Sequence, residues 1–280
     1  MTMTEMIAEN LWKKVEPMIR KVREERESKK KKKGRPRSDE KKAFTAIVYI
    51  LRTGSQWTEI PKIYGSKSAI HRYFQEWSEK AVFTEAWKKG LKEYDEKVGI
   101  DWKWQAADGA MTKAPLGGEA TGPNPTDRAK RGTKRSMLVD SKGVPLAIVV
   151  SGANTNDHLL LEQTLLNIEA KPSIWVQLLI LLGIFKKHIC LDKAYDNEPS
   201  YKTLTNFGYT EHVAKKGLNP KDLPKKPGHK PRRWVVEVCH SWINRFRKLL
   251  VRFEKSQQSY LAFLHLACSI ICFRKSGLLG

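Results

Sequence analysis

This sequence lacks a long apolar segment, and its first residues lack the pattern of a signal peptide. The longest apolar run, IWVQLLILLGIF at positions 174–185, is far shorter than the roughly 20 residues that a membrane-spanning helix needs. The first residues, MTMTEMIAEN, show no basic segment followed by an apolar stretch, so we expect no secretory signal. We therefore predict a protein that does not enter a membrane, and we interpret the run as core or as an interface.

Cysteine is scarce, with four residues in 280 and no CxxC pair. Only Cys268 and Cys272 are close in sequence, one helical turn apart among apolar neighbours. Structural zinc sites usually draw on closely spaced thiolate pairs, so we expect buried, reduced thiols, with a zinc site as the alternative. Reduced thiols are typical of a reducing compartment, and we predict a cytoplasmic protein.

Acidic residues are greatly outnumbered. The chain has 52 Lys and Arg against 30 Asp and Glu, which gives a formal net charge of +22 and a pI of about 9.8. This imbalance exceeds what solubility requires, and it points to a polyanionic partner. Nucleic acid is the expected partner, and an anionic membrane surface is the alternative.

The first 98 residues predict a small, entirely helical domain. Apolar residues recur at threes and fours over 5–28, and a second helix begins at a Ser38 or Asp39 cap and ends before Gly54. A short helix over 58–64, a turn at Gly65 and a further helix complete the pattern. This order is typical of a helix-turn-helix that binds DNA, and a purely structural three-helix bundle is the alternative.

Two surfaces of this domain are candidates for DNA contact. The basic linker 29–37 can track phosphates or enter a narrow minor groove, where arginine is attracted electrostatically; a solvated linker is the simpler reading. The helix after Gly65 leaves polar side chains of base-reading types on one face. The predicted DNA-binding residues here are Lys29, Lys30, Lys31, Lys32, Lys33, Arg35, Arg37, Lys67, Ser68, His71, Arg72 and Gln75.

Residues 99–280 alternate between strand and helix patterns and predict an α/β domain. The expected strands span 101–108, 134–140, 144–151, 189–192 and 209–214, with the second and third forming a hairpin. The expected helices span 156–168, 198–207, 234–255 and 258–275. Segments 112–133 and 215–233 are rich in Gly or Pro and are expected to be loops.

Three acids in this region are candidate metal ligands. Asp108 and Asp192 each close a predicted strand, so both can lie on one rim of a sheet, and Glu237 opens a helix on its polar stripe, which Ser241, Asn244, Arg245 and Lys248 continue. Carboxylates that converge repel one another unless a cation joins them, and hard cations such as Mg²⁺ or Mn²⁺ prefer oxygen ligands. The structural alternatives are a turn aspartate before Gly109 and a first-turn acid that serves the helix dipole.

The same stretches resemble a known family. The segments ADGAMTKAP, GPNPTDRAKRGTKRSMLVDSKGVPLAIVVSGANTND, LDKAYD and RRWVVEVCHSWINRFRKLL are similar to DDE transposases of bacterial insertion sequences, in the group named for insertion sequence five. The segments GRPR, ILRTGSQWTEIP and HRYFQEW resemble the DNA-binding domain that precedes the catalytic domain in that group. The resemblance covers roughly residues 8–275, with the motifs in the expected order.

The resemblance implies a ribonuclease-H-like catalytic domain, a mixed sheet flanked by helices, over 99–280, with the helix-turn-helix domain over 1–98. It implies that Asp108, Asp192 and Glu237 form the catalytic triad and hold Mg²⁺ or Mn²⁺, as two ions. Related transposases carry Tyr, two residues, Arg, three residues, Glu, six residues and Lys; Arg233 and Glu237 fit, whereas Lys230 and Asn244 depart from the pattern. The resemblance therefore favours Arg233, Arg245 and Lys248 as DNA phosphate contacts, with pairing to Glu237 as the alternative for Arg233.

The expected activity is cleavage at the inverted repeats of an insertion sequence, followed by attack of the freed 3′-hydroxyl on target DNA. The expected partners are double-stranded DNA and a second copy of the chain on that DNA, in the nucleoid of a bacterial cytoplasm. Two alternatives remain: a DNA-binding regulator derived from a transposase, and a nuclease of the same fold that does not join strands.

Overall fold

The computed structural model describes residues 2–29, 37–214 and 233–279. Lys30, Lys31, Lys32, Lys33 and Arg35 of the predicted linker lie outside these residues, as does most of the predicted loop 215–233. The chain divides into two compact units, one formed by Met1–Lys97 with Ile243–Gly280 and the other by Val98–Trp242.

The first unit consists of helices whose ends follow local sequence signals. Thr2 and Glu5 form a capping box at the start of α1, Asp39 accepts two backbone N–H bonds at the start of α2, and Gly54 ends α2 with a φ of 73°. These are the residue types that satisfy free backbone groups at helix ends. The helices of this unit are α1 (Met3–Ser28), α2 (Glu40–Thr53), α3 (Lys67–Glu79) and α4 (Val82–Lys97).

The predicted helix over 58–64 is wrong. Two short 3₁₀ turns, Trp57–Glu59 and Lys62–Tyr64, stand in its place. Pro61 separates them, because a proline disfavours helical backbone at the residue before it. Ile60 accordingly has φ −64° and ψ 128°, an extended conformation.

The C-terminal helix packs in the first unit, together with α9 (Arg247–Leu250), whereas the predicted division placed everything after residue 98 in one domain. Helix α10 (Gln257–Lys275) is buried on nearly all sides and packs along α4. A helix that is apolar all round has to be enclosed by other helices. Gly90 permits the close approach, since a Cβ there would lie 3.0 Å from Cβ of Cys272.

The second unit is built on a mixed six-stranded sheet. Its strands are β1 (Trp104–Lys113), β2 (Gly122–Pro123), β3 (Arg131–Asp140), β4 (Pro145–Gly152), β5 (Lys187–Leu191) and β6 (Tyr209–Val213). Strand β3 pairs antiparallel with β1, β2 and β4, while β1, β5 and β6 run parallel. This is the ribonuclease-H-like arrangement that the resemblance predicts.

The helices of the second unit include one, over 174–181, that was not predicted. They are α5 (Asp157–Leu166), α6 (Ile174–Leu181), α7 (Glu198–Asn206) and α8 (Trp234–Asn244). The predicted continuous helix over 234–255 is wrong, because α8 ends at Asn244 and α9 begins only at Arg247.

The first strand does not end at Asp108. It continues to Lys113, because β3 pairs with it from Gln105 to Lys113, so Asp108 lies within the strand opposite Met137. Gly109 looks like a strand end in the sequence, but pairing with a long neighbour outweighs the weak strand preference of glycine. The predicted loop 112–133 likewise contains β2 and the start of β3.

The apolar run 174–185 is not core. Helix α6 has no buried residue, and Ile174, Trp175 and Leu181 are 77%, 74% and 83% exposed. Among the described residues, no helix combines the length and the apolar character needed to cross a bilayer. All four cysteines are buried, and none of them is in a disulfide.

Candidate active site

Asp108 lies in β1, and Asp192 directly follows the neighbouring parallel strand β5. Ala106 of β1 is in register with Cys190 of β5, and each aspartate follows two residues later. Since side chains two residues apart in a strand point to the same face, the register brings the two aspartates level. Asp192 also caps a 3₁₀ turn by accepting the N–H of Ala194 at 2.7 Å.

Glu237 lies in the first turn of α8, and it is half exposed, at 51% for its side chain. One turn further along, the buried His240 places Nε2 3.4 Å from the backbone carbonyl oxygen of Asp108. Burial lowers the pKa of His240 to about 3, and nearby Arg135 acts in the same direction. A neutral imidazole therefore packs α8 against β1 at the level of Asp108.

Arg233 connects two of the three predicted triad members. Its Nη2 lies 2.9 Å from Oε1 of Glu237, and its Nη1 lies 3.8 Å from Oδ2 of Asp192. The Arg233 side chain is 44% exposed. A single guanidinium therefore supplies positive charge between two carboxylates that are far apart in sequence.

Asp108 is the most strongly perturbed carboxyl of this group. Burial raises its pKa from 3.8 to about 6, and the charges of Asp192 and Asp157 act in the same direction. The N–H of Gly109, which donates to Oδ1 of Asp108 at 2.8 Å, and the charge of Arg233 oppose the rise. The charge of Arg233 therefore offsets only part of the rise.

Within residues 2–29, 37–214 and 233–279, no three His, Cys, Asp or Glu side chains converge tightly enough to hold a metal ion. The donor set nevertheless suits a hard divalent cation, because it consists of carboxylate oxygens and includes the desolvated Asp108. Arg233 supplies the positive charge beside Asp192 and Glu237, whose carboxylates contact its guanidinium.

Sequence reasoning did not single out Asp157, Tyr195 or His240 as part of this site. Asp157 begins α5 and Tyr195 follows Asp192 by three residues, so both occur in motifs that carried the resemblance, SGANTND and LDKAYD. The periodicity of α8 could have marked His240, which falls on the buried face three residues after Glu237.

The predicted DNA-binding residues of α3 mostly face solvent. Lys67, Ser68, His71 and Arg72 are exposed, and Gln75 is half-buried. The ring of His71 stands edge-on to Trp57, with centroids 4.7 Å apart.

The two described linker residues differ in their surroundings. Lys29 is exposed and pairs with Glu25 at 3.0 Å. Arg37 is held inside the helical unit, because it pairs with Glu76 at 2.5 Å and stacks over the ring of Tyr73.

Arg245 and Lys248 do not share a stripe with Glu237, since α8 ends at Asn244. Arg245 is exposed. Lys248 is buried and forms an ion pair of 2.8 Å with the equally buried Glu254.

Two family models match separate regions of the chain. A family described as "Transposase DDE domain" matches residues 104–272, and one described as "Putative transposase of IS4/5 family (DUF4096)" matches residues 7–87. A Burkholderia cepacia protein, "Putative transposase for insertion sequence element IS402", is 36% identical over 160 residues, which cover 55% of this chain and 68% of that protein. A second protein of that organism, "Insertion element IS402 uncharacterized 16.2 kDa protein", is 26% identical over 122 residues, or 43% of this chain and 81% of the other.

A solved structure titled "Crystal structure of the Mos1 mariner paired end complex with Mn" aligns over 89% of this chain and 82% of its own, at 15% identity and a TM-score of 0.26. The DDE-domain match spans more than half of the chain, and it includes Asp108, Asp192 and Glu237. The chain therefore belongs to the DDE-domain transposases of bacterial insertion sequences.

Proposed function

We propose that this transposase binds the terminal inverted repeats of its insertion sequence, cleaves the phosphodiester bonds at the ends and joins the 3′-hydroxyl ends to target DNA. The observation that supports the proposal is that Arg233 contacts both Asp192 and Glu237, while the charges of Asp192 and Arg233 both act on the buried Asp108. Phosphodiester exchange of this kind needs neither a protein nucleophile nor a nucleotide cofactor.

Asp108, Asp192 and Glu237 would hold the divalent cations, Mg²⁺ or Mn²⁺, as two ions. When bound, such cations activate the attacking oxygen and stabilise the leaving oxygen of a phosphodiester. The cations would stabilise the ionised form of Asp108 most, because burial disfavours that form and a nearby cation favours it.

Arg233 is the proposed phosphate contact beside the scissile bond. Its side chain is 44% exposed, and its guanidinium carries five N–H donors, more than its contacts with Asp192 and Glu237 occupy. A planar guanidinium can hold a phosphate through two parallel hydrogen bonds and so orient the strand.

The helical unit is the proposed reader of the inverted repeats. Lys67, Ser68, His71, Arg72 and Gln75 supply contacts from α3, and the basic segment around 29–35 supplies contacts to phosphate that do not depend on sequence. Arg245 remains a phosphate candidate because it is exposed. Arg37 and Lys248 are left out of this set, because their cationic groups pair with Glu76 and Glu254.

The second copy needed to act on two ends is proposed to join on the DNA, in the nucleoid of the cytoplasm. Cleavage and strand-transfer assays with end DNA and Mn²⁺ test the whole proposal. We expect nicked ends and joined products from the unaltered chain and neither from Asp108→Asn. A nuclease would yield cleavage without joining, and a regulator would bind the ends without cleaving them; either result would replace the proposal.

A further inference from the structure

Asp157 is an acidic residue beside the site, and its two carboxylate oxygens have different surroundings. Oδ2 pairs with Nζ of Lys134 at 3.0 Å, and the two side chains are only 22% and 7% exposed. Oδ1 is buried and has no hydrogen-bond partner among the described residues. Leaving a buried acceptor unsatisfied costs about 1–3 kcal/mol, and more when it is charged, so Oδ1 is suited to a ligand that supplies positive charge.

The backbone next to Asp108 is shaped around this oxygen. A Cβ placed on Gly109 would lie 2.1 Å from Oδ1 of Asp157, so any larger residue at 109 would push this oxygen away. Asp157 therefore lies directly against β1, one residue beyond Asp108. Its charge is also close enough to raise the pKa of Asp108.

Tyr195 gives an independent indication that a polar ligand belongs here. Its side chain is fully buried, and its hydroxyl lies near Ser136, with no further hydrogen-bond partner among the described residues. Burial raises the pKa of this hydroxyl well above its usual value, and the charges of Asp157, Asp108 and Asp192 act in the same direction. An open groove of about 340 Å³ reaches Asp157 from the solvent side, between the start of α5 and the turn that holds Ala194 and Asn197.

We infer that Asp157 is a fourth carboxylate of the catalytic centre and that its Oδ1 contributes an oxygen ligand, directly or through a water molecule, to the divalent cation held by Asp108. This inference rests on the proposed function. Lys134 holds Oδ2, so Oδ1 is the oxygen left for the cation, and Gly109 provides the space that lets it approach. Hard divalent cations accept several carboxylate or water oxygens, so a fourth acid fits the same chemistry.

Calorimetric titration of the full-length chain with Mn²⁺, at neutral pH and without DNA, tests the inference. We expect Asp157→Asn to weaken Mn²⁺ binding by about tenfold or more, as changes around metal ligands typically do. The matched control is Glu162→Gln, an exposed acid on the same helix, which should bind Mn²⁺ as the unaltered chain does. Equal affinity in Asp157→Asn and Glu162→Gln would overturn the inference.

Gly109→Ala provides a second variant that leaves Asp157 chemically intact. Gly109 does not have a positive φ, so alanine suits the backbone while its Cβ forces Oδ1 of Asp157 to move. We expect the same loss of Mn²⁺ affinity, and circular dichroism shows whether the fold is kept. A folded Gly109→Ala chain with unchanged Mn²⁺ affinity would also count against the inference.

Asp108→Asn separates a failure of this inference from a failure of the proposed function. If Asp108→Asn loses Mn²⁺ binding while Asp157→Asn keeps it, only the role of Asp157 is rejected. If Asp108→Asn itself keeps full affinity, the metal site of the proposed function is rejected, and the inference fails with it.

Discussion

Arg233 and Glu237 are one helical turn apart and are joined by an ion pair of 2.9 Å, while the same guanidinium reaches Asp192 at 3.8 Å. The sequence left open whether Arg233 holds a DNA phosphate or pairs with Glu237. The pair with Glu237 is present in the structure, and the exposure of Arg233 leaves the phosphate role as a proposal.

Substitution of Arg233 should separate its two roles. An ion pair this exposed is worth about 0–1 kcal/mol, so Arg233→Ala should hardly change the melting temperature without DNA. End cleavage should fall in Arg233→Ala and also in Arg233→Lys, because lysine keeps the charge but lacks the planar fork. Melting and single-turnover cleavage measured in parallel decide the matter, and full cleavage by Arg233→Ala would discard the phosphate role.

Asp108→Asn should stabilise the metal-free protein at neutral pH. A carboxyl whose folded-state pKa is raised from 3.8 to about 6 costs stability as the pH rises through this window, and it costs none below pH 3.8. We expect a gain of about 1–2 kcal/mol at neutral pH, allowing for partial exposure of the group. Urea unfolding in the presence of a chelator, at neutral and at acidic pH, measures this gain in the free energy of unfolding. A gain that does not depend on pH would contradict the raised pKa of Asp108.

The basic linker and α3 should affect DNA binding differently. Replacing Lys30, Lys31, Lys32 and Lys33 by glutamine should weaken binding to all DNA. It should also flatten the salt dependence of binding, because each phosphate contact that is lost leaves its counterions on the DNA. Arg72→Ala should instead reduce the preference for inverted-repeat DNA over random DNA.

Arg20→Ala serves as the control for Arg72→Ala, since Arg20 is an exposed arginine on α1 that pairs with Glu16. Fluorescence anisotropy with inverted-repeat and random duplexes at several salt concentrations gives the sequence preference and the salt dependence of binding. Equal losses on the two duplexes for the linker and α3 variants would reject the helix-turn-helix assignment.

Lys248 should matter for stability and not for DNA binding. It is 6% exposed and paired with Glu254, which is 7% exposed, and breaking a buried pair costs about 3–5 kcal/mol because one charge is left unpaired. We expect Lys248→Ala to lower the free energy of unfolding by that order, and Lys248→Met combined with Glu254→Gln to recover part of the loss. Chemical denaturation checks this, with the exposed Arg245→Ala as the control that should stay near the unaltered stability.

Local chemistry in the sequence was sufficient for many elements. Asp39 and Gly54 mark the ends of α2 because capping depends only on residues a few positions apart. The hairpin of β3 and β4 and the strand that ends before Asp192 follow from short apolar runs and nearby turns. Strand ends and a helix face marked Asp108, Asp192 and Glu237 as candidate metal ligands, the motif resemblance implied that they form a triad, and their metal-binding role remains a proposal.

Features that depend on pairing between distant segments were decided only by the tertiary structure. Asp108 lies inside β1 and not at its end, because β3 extends the strand beyond Gly109. The C-terminal helix joins the N-terminal unit because an all-round apolar surface needs a partner such as α4. The register of β1 and β5 brings Asp192 level with Asp108, and the carboxylate of Asp157 lies against Gly109, the residue after Asp108. By itself the sequence determined which acids are present and which local elements carry them, whereas their positions relative to one another depended on strand register and on close backbone approach, which periodicity does not encode.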